Sequence, residues 1–128
     1  MKSYTDTEQS KKLAEILPLD SADMHYHYDY DFGELESIPT ITEEGDHFNL
    51  FPEDVRCWSL AALLNILPVS CDDEQHCLAL INHNPNEKTE WLCAYEDDKG
   101  NLMMECYADN QIDACVAMID KLHEQNLL

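Results

Sequence analysis

Basic residues are scarce in this sequence. Its 128 residues include 7 Lys and Arg against 27 Asp and Glu, which gives a formal net charge of -20 at pH 7. Residues 13–55 contain no Lys or Arg at all. Because DNA, RNA and anionic membranes are bound through basic surfaces, this balance argues against all three as direct partners. It favours a basic protein as the partner, and we expect the base-free stretch to carry the electrostatic contact.

Glycine is rarer still, and the sequence has only Gly33, Gly45 and Gly100. Three scattered glycines cannot build a P-loop or a dinucleotide-binding fingerprint, because both need clustered glycines next to phosphates. The sequence also lacks the G-x-S-x-G nucleophile elbow and the H-E-x-x-H zinc motif. Six cysteines and six histidines leave a Cys–His pair open, although no spacing singles one out. We therefore expect no cofactor and no catalysis.

Long apolar runs are absent too. None approaches the roughly 20 residues that a membrane-spanning helix requires. The first residues, MKSYTDTEQSKK, are polar and lack the apolar segment of a secretory signal peptide. The cysteines form no C-x-x-C pair, and free cysteine is commonly a small buried side chain. These absences predict a cytoplasmic protein in a reducing compartment, with buried free thiols and no membrane partner.

Three segments have the features of helices: residues 5–18, 52–68 and 109–128. In the first, Thr5 and Glu8 have the spacing of a capping box. The second is the most strongly apolar and opens with a proline and two acids, which suit a first helical turn. The third places its apolar residues on one face, which predicts a helix packed on a core.

Five segments have the features of strands, with strand-forming residues bounded by turn residues. In chain order they are residues 24–32, 34–41, 77–83, 90–96 and 101–108. The sequence DDKGN between the last two favours a hairpin. The element order α-β-β-α-β-β-β-α is typical of an α+β protein. We predict a single α+β domain over residues 1–128, with an antiparallel sheet of about four to five strands packed against about three helices.

The segment MHYHYDYDF, residues 24–32, alternates polar and apolar side chains. Alternate residues of a strand point to one face, so the polar set could place imidazole and carboxylate ligands around one metal ion. Its His-x-His-x-Asp order resembles the opening motif of metallo-β-lactamase-type hydrolases, although Tyr30 stands where that motif has a further histidine. We prefer an amphipathic strand with aromatic residues toward the helices and polar residues toward water. The candidate metal ligands are His25, His27, Asp29 and Asp31.

The candidate contacts with a basic partner are the acids around this segment and one tryptophan. Trp58 lies in an apolar helical pattern, where burial in the protein's own core is the preferred interpretation and an interface is the alternative. The candidate partner contacts are Asp29, Asp31, Glu34, Glu36, Glu43, Glu44, Asp46 and Trp58. The sequence leaves the oligomeric state open.

Three stretches resemble one family of proteins. They are SADM at residues 21–24, CWSL at residues 57–60, and the segment from DAC at residues 113–115 to the final two leucines. The family consists of small uncharacterised proteins of Bacteroides-type gut bacteria and their phages and mobile elements. The resemblance implies a shared apolar core and predicts that the chain is a complete protein. It implies no activity, because none is known for the family.

Three functional hypotheses follow from these observations. The first is an acidic, non-catalytic accessory or adaptor protein of mobile-element origin that binds a basic protein. The second is a nucleic-acid mimic, which requires carboxylates spaced like phosphates on one rigid face. The third is a metal-dependent enzyme, which requires the two histidines and two aspartates of residues 25–31 to converge with further ligands. The net charge and the missing catalytic motifs favour the first hypothesis.

Overall fold

A computed structural model describes residues 2–43, 46, 50–72, 76–83 and 90–128 of the chain. Within those residues three α-helices and nine strands are present, and the strands pair in antiparallel sheets, which confirms the predicted α+β class. The helices are α1 (Thr7–Ile16), α2 (Leu60–Ile66) and α3 (Gln111–Glu124). The strands are β1 (Met24–Tyr26), β2 (Tyr28–Asp29), β3 (Glu34–Leu35), β4 (Thr40–Ile41), β5 (Val55–Cys57), β6 (Ser70–Asp72), β7 (His76–His83), β8 (Glu90–Glu96) and β9 (Leu102–Ala108).

The chain folds as two compact units. The N-terminal unit is Ser3–Ala62, and the C-terminal unit is Leu63–Leu128 together with Lys2. The boundary between them falls inside α2. The described strands are divided among three sheets, where the sequence had suggested one. The expectation of a single domain over residues 1–128 stays a prediction.

The N-terminal unit contains a three-stranded sheet and a separate hairpin. The sheet has the strand order β4-β1-β5, with Met24 opposite both Ile41 and Cys57. Helix α1 packs against β5. The hairpin pairs β2 with β3, so that Tyr28 lies opposite Leu35. The buried apolar side chains of this unit are Leu13, Leu17, Ala22, Tyr26, Cys57, Trp58 and Ala62.

The C-terminal unit is a four-stranded antiparallel sheet with α3 packed on β8 and β9. Strand β8 is buried along residues 92–95. Asn110 caps α3, because its side chain accepts the Asp113 N–H at 2.8 Å. The apolar face predicted for this helix is buried. Its buried residues are Ile112, Ala114, Cys115, Val116, Met118, Ile119 and Leu122.

The hairpin between β8 and β9 follows the prediction made from DDKGN. Gly100 adopts a positive φ of 82° and donates its N–H to the Asp97 carbonyl at 3.1 Å. The Asp97 carboxylate accepts the N–H groups of Lys99 and Asn101. Two hydrogen bonds from Asn101 lower the pKa of Asp97, and the bond from its side chain has a larger effect than the bond from its backbone N–H. The short strand β6, which joins the other edge of this sheet, was not predicted.

The helix predicted over residues 5–18 is present, but its cap lies one residue later than expected. Asp6 is the N-cap: its carboxylate accepts the Gln9 N–H at 2.8 Å, and its own N–H donates to Gln9 Oε1 at 3.1 Å. The predicted pair of Thr5 and Glu8 is wrong, because the Thr5 side chain is buried and bonded elsewhere.

The helix predicted over residues 52–68 is wrong in its first half. Val55–Cys57 forms β5 and pairs with β1, and the helix begins only at Leu60. In Val-Arg-Cys the apolar residues alternate with a charge, which suits a sheet with one buried face better than a helix. Ser59 marks the true start, because its hydroxyl accepts the Ala62 N–H at 3.3 Å.

The strand predicted over residues 24–32 is divided after Tyr26. The Tyr28 N–H donates to the Asp54 carboxylate at 2.8 Å, and the His27 carbonyl accepts the Glu36 N–H at 2.9 Å. These bonds direct the chain away from the partners of β1 and into the hairpin with β3.

In the described ranges no helix is long and apolar enough to cross a membrane. Cys57, Cys93 and Cys115 are buried free thiols, as predicted for small apolar side chains. Cys77 is also free but exposed, so the prediction of burial is wrong for this residue. Burial raises the pKa of the Cys57 thiol.

Thr5 is the centre of a buried group of hydrogen bonds in the N-terminal unit. Its hydroxyl accepts the Trp58 N–H at 3.1 Å and lies 2.7 Å from the Ser10 hydroxyl. Its N–H donates to the Trp58 carbonyl at 3.0 Å. Its carbonyl accepts the Tyr26 hydroxyl at 2.8 Å. Thr5 therefore joins the start of the chain to both β1 and the segment after β5.

Replacing Thr5 by valine keeps the shape of the side chain but removes the hydroxyl. Because the buried Trp58 N–H and Ser10 hydroxyl would lose this partner, we expect Thr5→Val to lower the free energy of unfolding by about 1–3 kcal/mol. Thr40→Val is the matched control, since Thr40 is exposed on β4. This substitution should change the free energy of unfolding by less than about 0.5 kcal/mol. Urea denaturation measures both, and equal stabilities for the two variants would contradict the role of Thr5.

Candidate functional site

The four candidate metal ligands do not converge. His25 belongs to β1, His27 follows that strand, Asp29 ends β2, and Asp31 lies in the turn of residues 30–33. Among the residues that the structure describes, no three His, Cys, Asp or Glu side chains are placed to hold one metal ion. The arrangement that the metal hypothesis requires is therefore not found in this part of the chain.

His25 bonds to a threonine on the neighbouring strand segment. Its Nδ1 lies 2.7 Å from Oγ1 of Thr42, and its register partner on β5 is Arg56. Burial lowers the pKa of His25; the charge of Asp54 opposes this effect, and His27 adds to it. His25 is therefore held toward its neutral form on the polar face of the sheet.

Asp54 organises the region around His27, and the sequence did not single it out. Its side chain is only 2% exposed. Its Oδ1 accepts the Tyr28 N–H at 2.8 Å and lies 3.3 Å from Nδ1 of His27, and its Oδ2 accepts the Phe51 N–H at 2.9 Å. A carboxylate can be buried only where such donors replace water. Asp54 thereby fixes the start of the hairpin to the segment before β5.

Asp29 shapes the tip of the same hairpin. Its Oδ1 accepts the Asp31 N–H at 2.9 Å and the Phe32 N–H at 3.3 Å. Its carbonyl accepts the Gly33 N–H at 2.7 Å, and Gly33 has a φ of 70°, which glycine adopts without strain. Asp29 is thus a turn-forming residue, and this explains why the predicted strand ends early.

The aromatic residues of this segment do not all face the helices, which corrects the amphipathic-strand interpretation. Tyr26 is buried, with 3% of its surface exposed, as that interpretation requires. Tyr30 and Phe32 lie beyond the strand, in the turn, and are 57% and 80% exposed. Once the backbone turns, the alternation of polar and apolar residues no longer determines which side chains face the core.

Four rings of the N-terminal unit pack against one another and form what we call the aromatic cluster: His27, Tyr28, Tyr30 and Phe51. The Tyr28 and Tyr30 centroids lie 5.1 Å apart with the rings at 75°, and the Tyr30 and Phe51 centroids lie 5.6 Å apart at 88°. The His27 and Phe51 centroids are 6.0 Å apart. Edge-to-face packing of this kind stabilises the rings, yet Phe51 keeps 52% of its surface exposed.

A carboxylate holds the outermost ring of the aromatic cluster. The Tyr30 hydroxyl donates to Oε2 of Glu53 at 2.5 Å. This bond raises the pKa of Tyr30 to about 12, because ionisation would place a second negative charge next to Glu53. The cluster therefore presents ring surfaces and a fixed carboxylate side by side.

Most of the described acids proposed as partner contacts are on the surface. Asp31, Glu34, Glu36, Glu43 and Asp46 are exposed, whereas Asp29 is half-buried in its turn. Glu44 lies outside the described residues. A shallow depression of ≈ 500 Å³ combines acids with exposed apolar groups on this surface. Its lining includes Asp29, Phe32, Glu34, Leu35, Glu36 and Ile38.

Trp58 has to be removed from the set of partner contacts. Its side chain is 0% exposed, and its indole N–H donates to the Ser21 hydroxyl at 3.0 Å. A completely buried ring with a satisfied donor contributes to the core, which is the interpretation preferred from the sequence.

Sequence reasoning missed Tyr30 as a surface residue and did not identify Phe51. It assigned Glu53 and Asp54 to the first turn of a helix and gave them no part in a site. Two signals were available for the turn. Asp29 followed by Gly33 has the composition of an Asx-type turn, and this argues against a strand through residue 32. No local signal identifies Phe51 as a neighbour of Tyr30, because that contact depends on the long-range bonds of Asp54.

Comparison with known proteins adds no relative: no family model, no curated protein and no solved structure matches the chain.

The bonds of Asp54 predict the effect of removing its charge. In Asp54→Asn the amide nitrogen would face either the Tyr28 N–H or the Phe51 N–H, so one of these two backbone donors would lose its acceptor. We expect a loss of about 1–3 kcal/mol in the free energy of unfolding. Asp31→Asn is the matched control, since Asp31 is exposed, and it should be nearly neutral. Chemical denaturation compares the two, and a neutral Asp54→Asn would refute the role assigned to this carboxylate.

His25 predicts a pH effect with a defined sign. Because its pKa in the folded chain is lowered from 6.5, the unfolded chain binds the proton more readily. The stability that neutral His25 contributes is fully present above pH 6.5 and is lost as the pH falls below it. We therefore expect the difference in unfolding free energy between the wild type and His25→Asn to shrink on acidification. Urea denaturation of both proteins on either side of pH 6.5 tests this prediction. A difference in unfolding free energy that grows on acidification would contradict it.

Proposed function

We propose that this chain is an acidic, non-catalytic accessory or adaptor protein that binds a basic protein through its N-terminal unit. The compartment that we propose is the cytoplasm, and the resemblance to proteins of Bacteroides-type bacteria and their mobile elements leads us to propose a mobile-element origin. The proposal concerns a binding surface, and it assigns no reaction to the described side chains.

One observation carries this proposal. The stretch without Lys or Arg, residues 13–55, places acids at the surface of an ordered hairpin and of the segments that flank it. Glu34 and Glu36 are exposed on either side of Leu35, and Asp31 is exposed at the tip. The same stretch contains no Lys or Arg, and this excess of negative charge favours a positively charged partner.

The chemistry of such a surface favours a positively charged protein. Opposite charges steer two proteins toward one another and fix their orientation, and salt screens this attraction over about 10 Å at 0.1 M ionic strength. Exposed apolar groups beside the acids, such as Phe32 at 80% and Ile38 at 69% exposed, add a desolvated contact to the electrostatic one. Acids and apolar groups together favour a specific partner over non-specific attraction.

The test is affinity capture from a lysate of cells that carry the natural gene, at low salt, with mass spectrometry of the captured proteins. The informative variant combines Asp31→Asn, Glu34→Gln and Glu36→Gln, which keeps the side-chain shapes and removes three charges. We expect the wild type to retain a basic protein and this variant to bind it about tenfold more weakly.

The control carries the same change of charge in the other unit: Asp98→Asn, Asp120→Asn and Glu124→Gln, all at exposed positions. It should retain the partner almost as the wild type does. If both triple variants lose the partner equally, the effect is one of net charge and not of a particular surface. That result, or no basic protein captured at low salt, would contradict the proposed function.

A further inference from the structure

The aromatic cluster of the N-terminal unit presents two half-exposed rings that most small proteins would bury. Tyr30 is 57% exposed and Phe51 is 52% exposed, and their centroids lie 5.6 Å apart at an angle of 88°. Asp54 holds the backbone of two cluster residues, because its carboxylate accepts the Phe51 N–H and the Tyr28 N–H. The rings are therefore fixed in place and still open to a partner.

The carboxylate of Glu53 lies beside these rings. It accepts the Tyr30 hydroxyl at 2.5 Å, and residues 13–55, which include both rings, contain no Lys or Arg. The face of an aromatic ring carries the negative part of its quadrupole. Where the face of such a ring is open to solvent, it and the neighbouring carboxylate would both attract a cation.

We infer that Tyr30 and Phe51, together with the Glu53 carboxylate, form the docking point for an arginine side chain of the basic partner. This inference rests on the proposed function and names the chemistry that the partner presents. Arginine fits better than lysine, because its flat guanidinium stacks on a ring and can donate to a carboxylate at the same time. The surrounding acids would then supply attraction over distance, and the rings would supply the specific contact.

The experiment uses three peptides of equal length as probes: oligoarginine, oligolysine and oligocitrulline, the last being a neutral isostere of arginine. Isothermal titration calorimetry at low salt measures their affinities for the full chain. We expect oligoarginine to bind more tightly than oligolysine, and oligocitrulline to show no binding. Equal affinities for the arginine and lysine peptides would overturn the preference for a guanidinium.

Two substitutions separate the ring contribution from the charge contribution. Phe51→Leu keeps an apolar side chain but has no π face, so it should weaken oligoarginine binding about fivefold and leave the salt dependence unchanged. Glu53→Gln should weaken binding and reduce the salt dependence, since it removes a charge. Tyr107→Ala is the matched control, because Tyr107 is exposed and also bonds a glutamate, Glu105, on β9 of the C-terminal unit. It should change binding less than twofold.

The outcomes distinguish the two proposals. If oligoarginine does not bind at low salt, the basic partner of the proposed function is contradicted together with this inference. If it binds and Phe51→Leu binds as tightly as the wild type, only the docking point is overturned. A concentration-dependent dimer in sedimentation that Phe51→Leu abolishes would also overturn it, because a second copy of the chain would then cover the rings.

Discussion

The buried carboxylate of Asp54 is the constraint on which the candidate site depends. With 2% of its side chain exposed, it accepts the Tyr28 N–H and the Phe51 N–H and lies next to the His27 ring, and these groups replace the water it would otherwise bind. These same bonds divide the first strand, begin the hairpin and bring Phe51 beside Tyr30. An almost completely buried side chain therefore determines which rings and acids reach the surface.

The shortage of basic residues gives the acids a structural role as well as an electrostatic one. With 27 Asp and Glu and only 7 Lys and Arg, most carboxylates cannot find a cationic side chain. Several of them accept backbone N–H groups: Asp6 at the start of α1, Asp23 at Ser59, Asp29 in the hairpin turn and Asp54 at Tyr28. Charge-assisted bonds of this kind fix turns and caps in a chain with few glycines. The acids left over at the surface form the candidate site.

The parts of the fold that could be predicted are those set by neighbouring residues. The cap at Asn110, the turn at Gly100 and the periodicity of α3 are local, and the C-terminal unit follows the sequence pattern closely. The N-terminal unit depends on distant pairs: Thr5 and Trp58 are 53 residues apart, and Tyr28 and Asp54 are 26 apart. No periodicity encodes such bonds. The acids of the candidate site could be proposed from composition alone. The contact between Tyr30 and Phe51 could not, because it depends on hydrogen bonds between distant residues.

The central claim is that the N-terminal unit carries the binding surface for a basic partner. Backbone amide chemical shifts of the isotopically labelled chain, followed during titration with an oligoarginine peptide, test it most directly. The account predicts that the shift changes concentrate in residues 27–36 and 50–55, which contain the hairpin, the aromatic cluster and the Asp54 bonds. Shift changes spread over the acids of both units, or confined to residues 90–128, would contradict it.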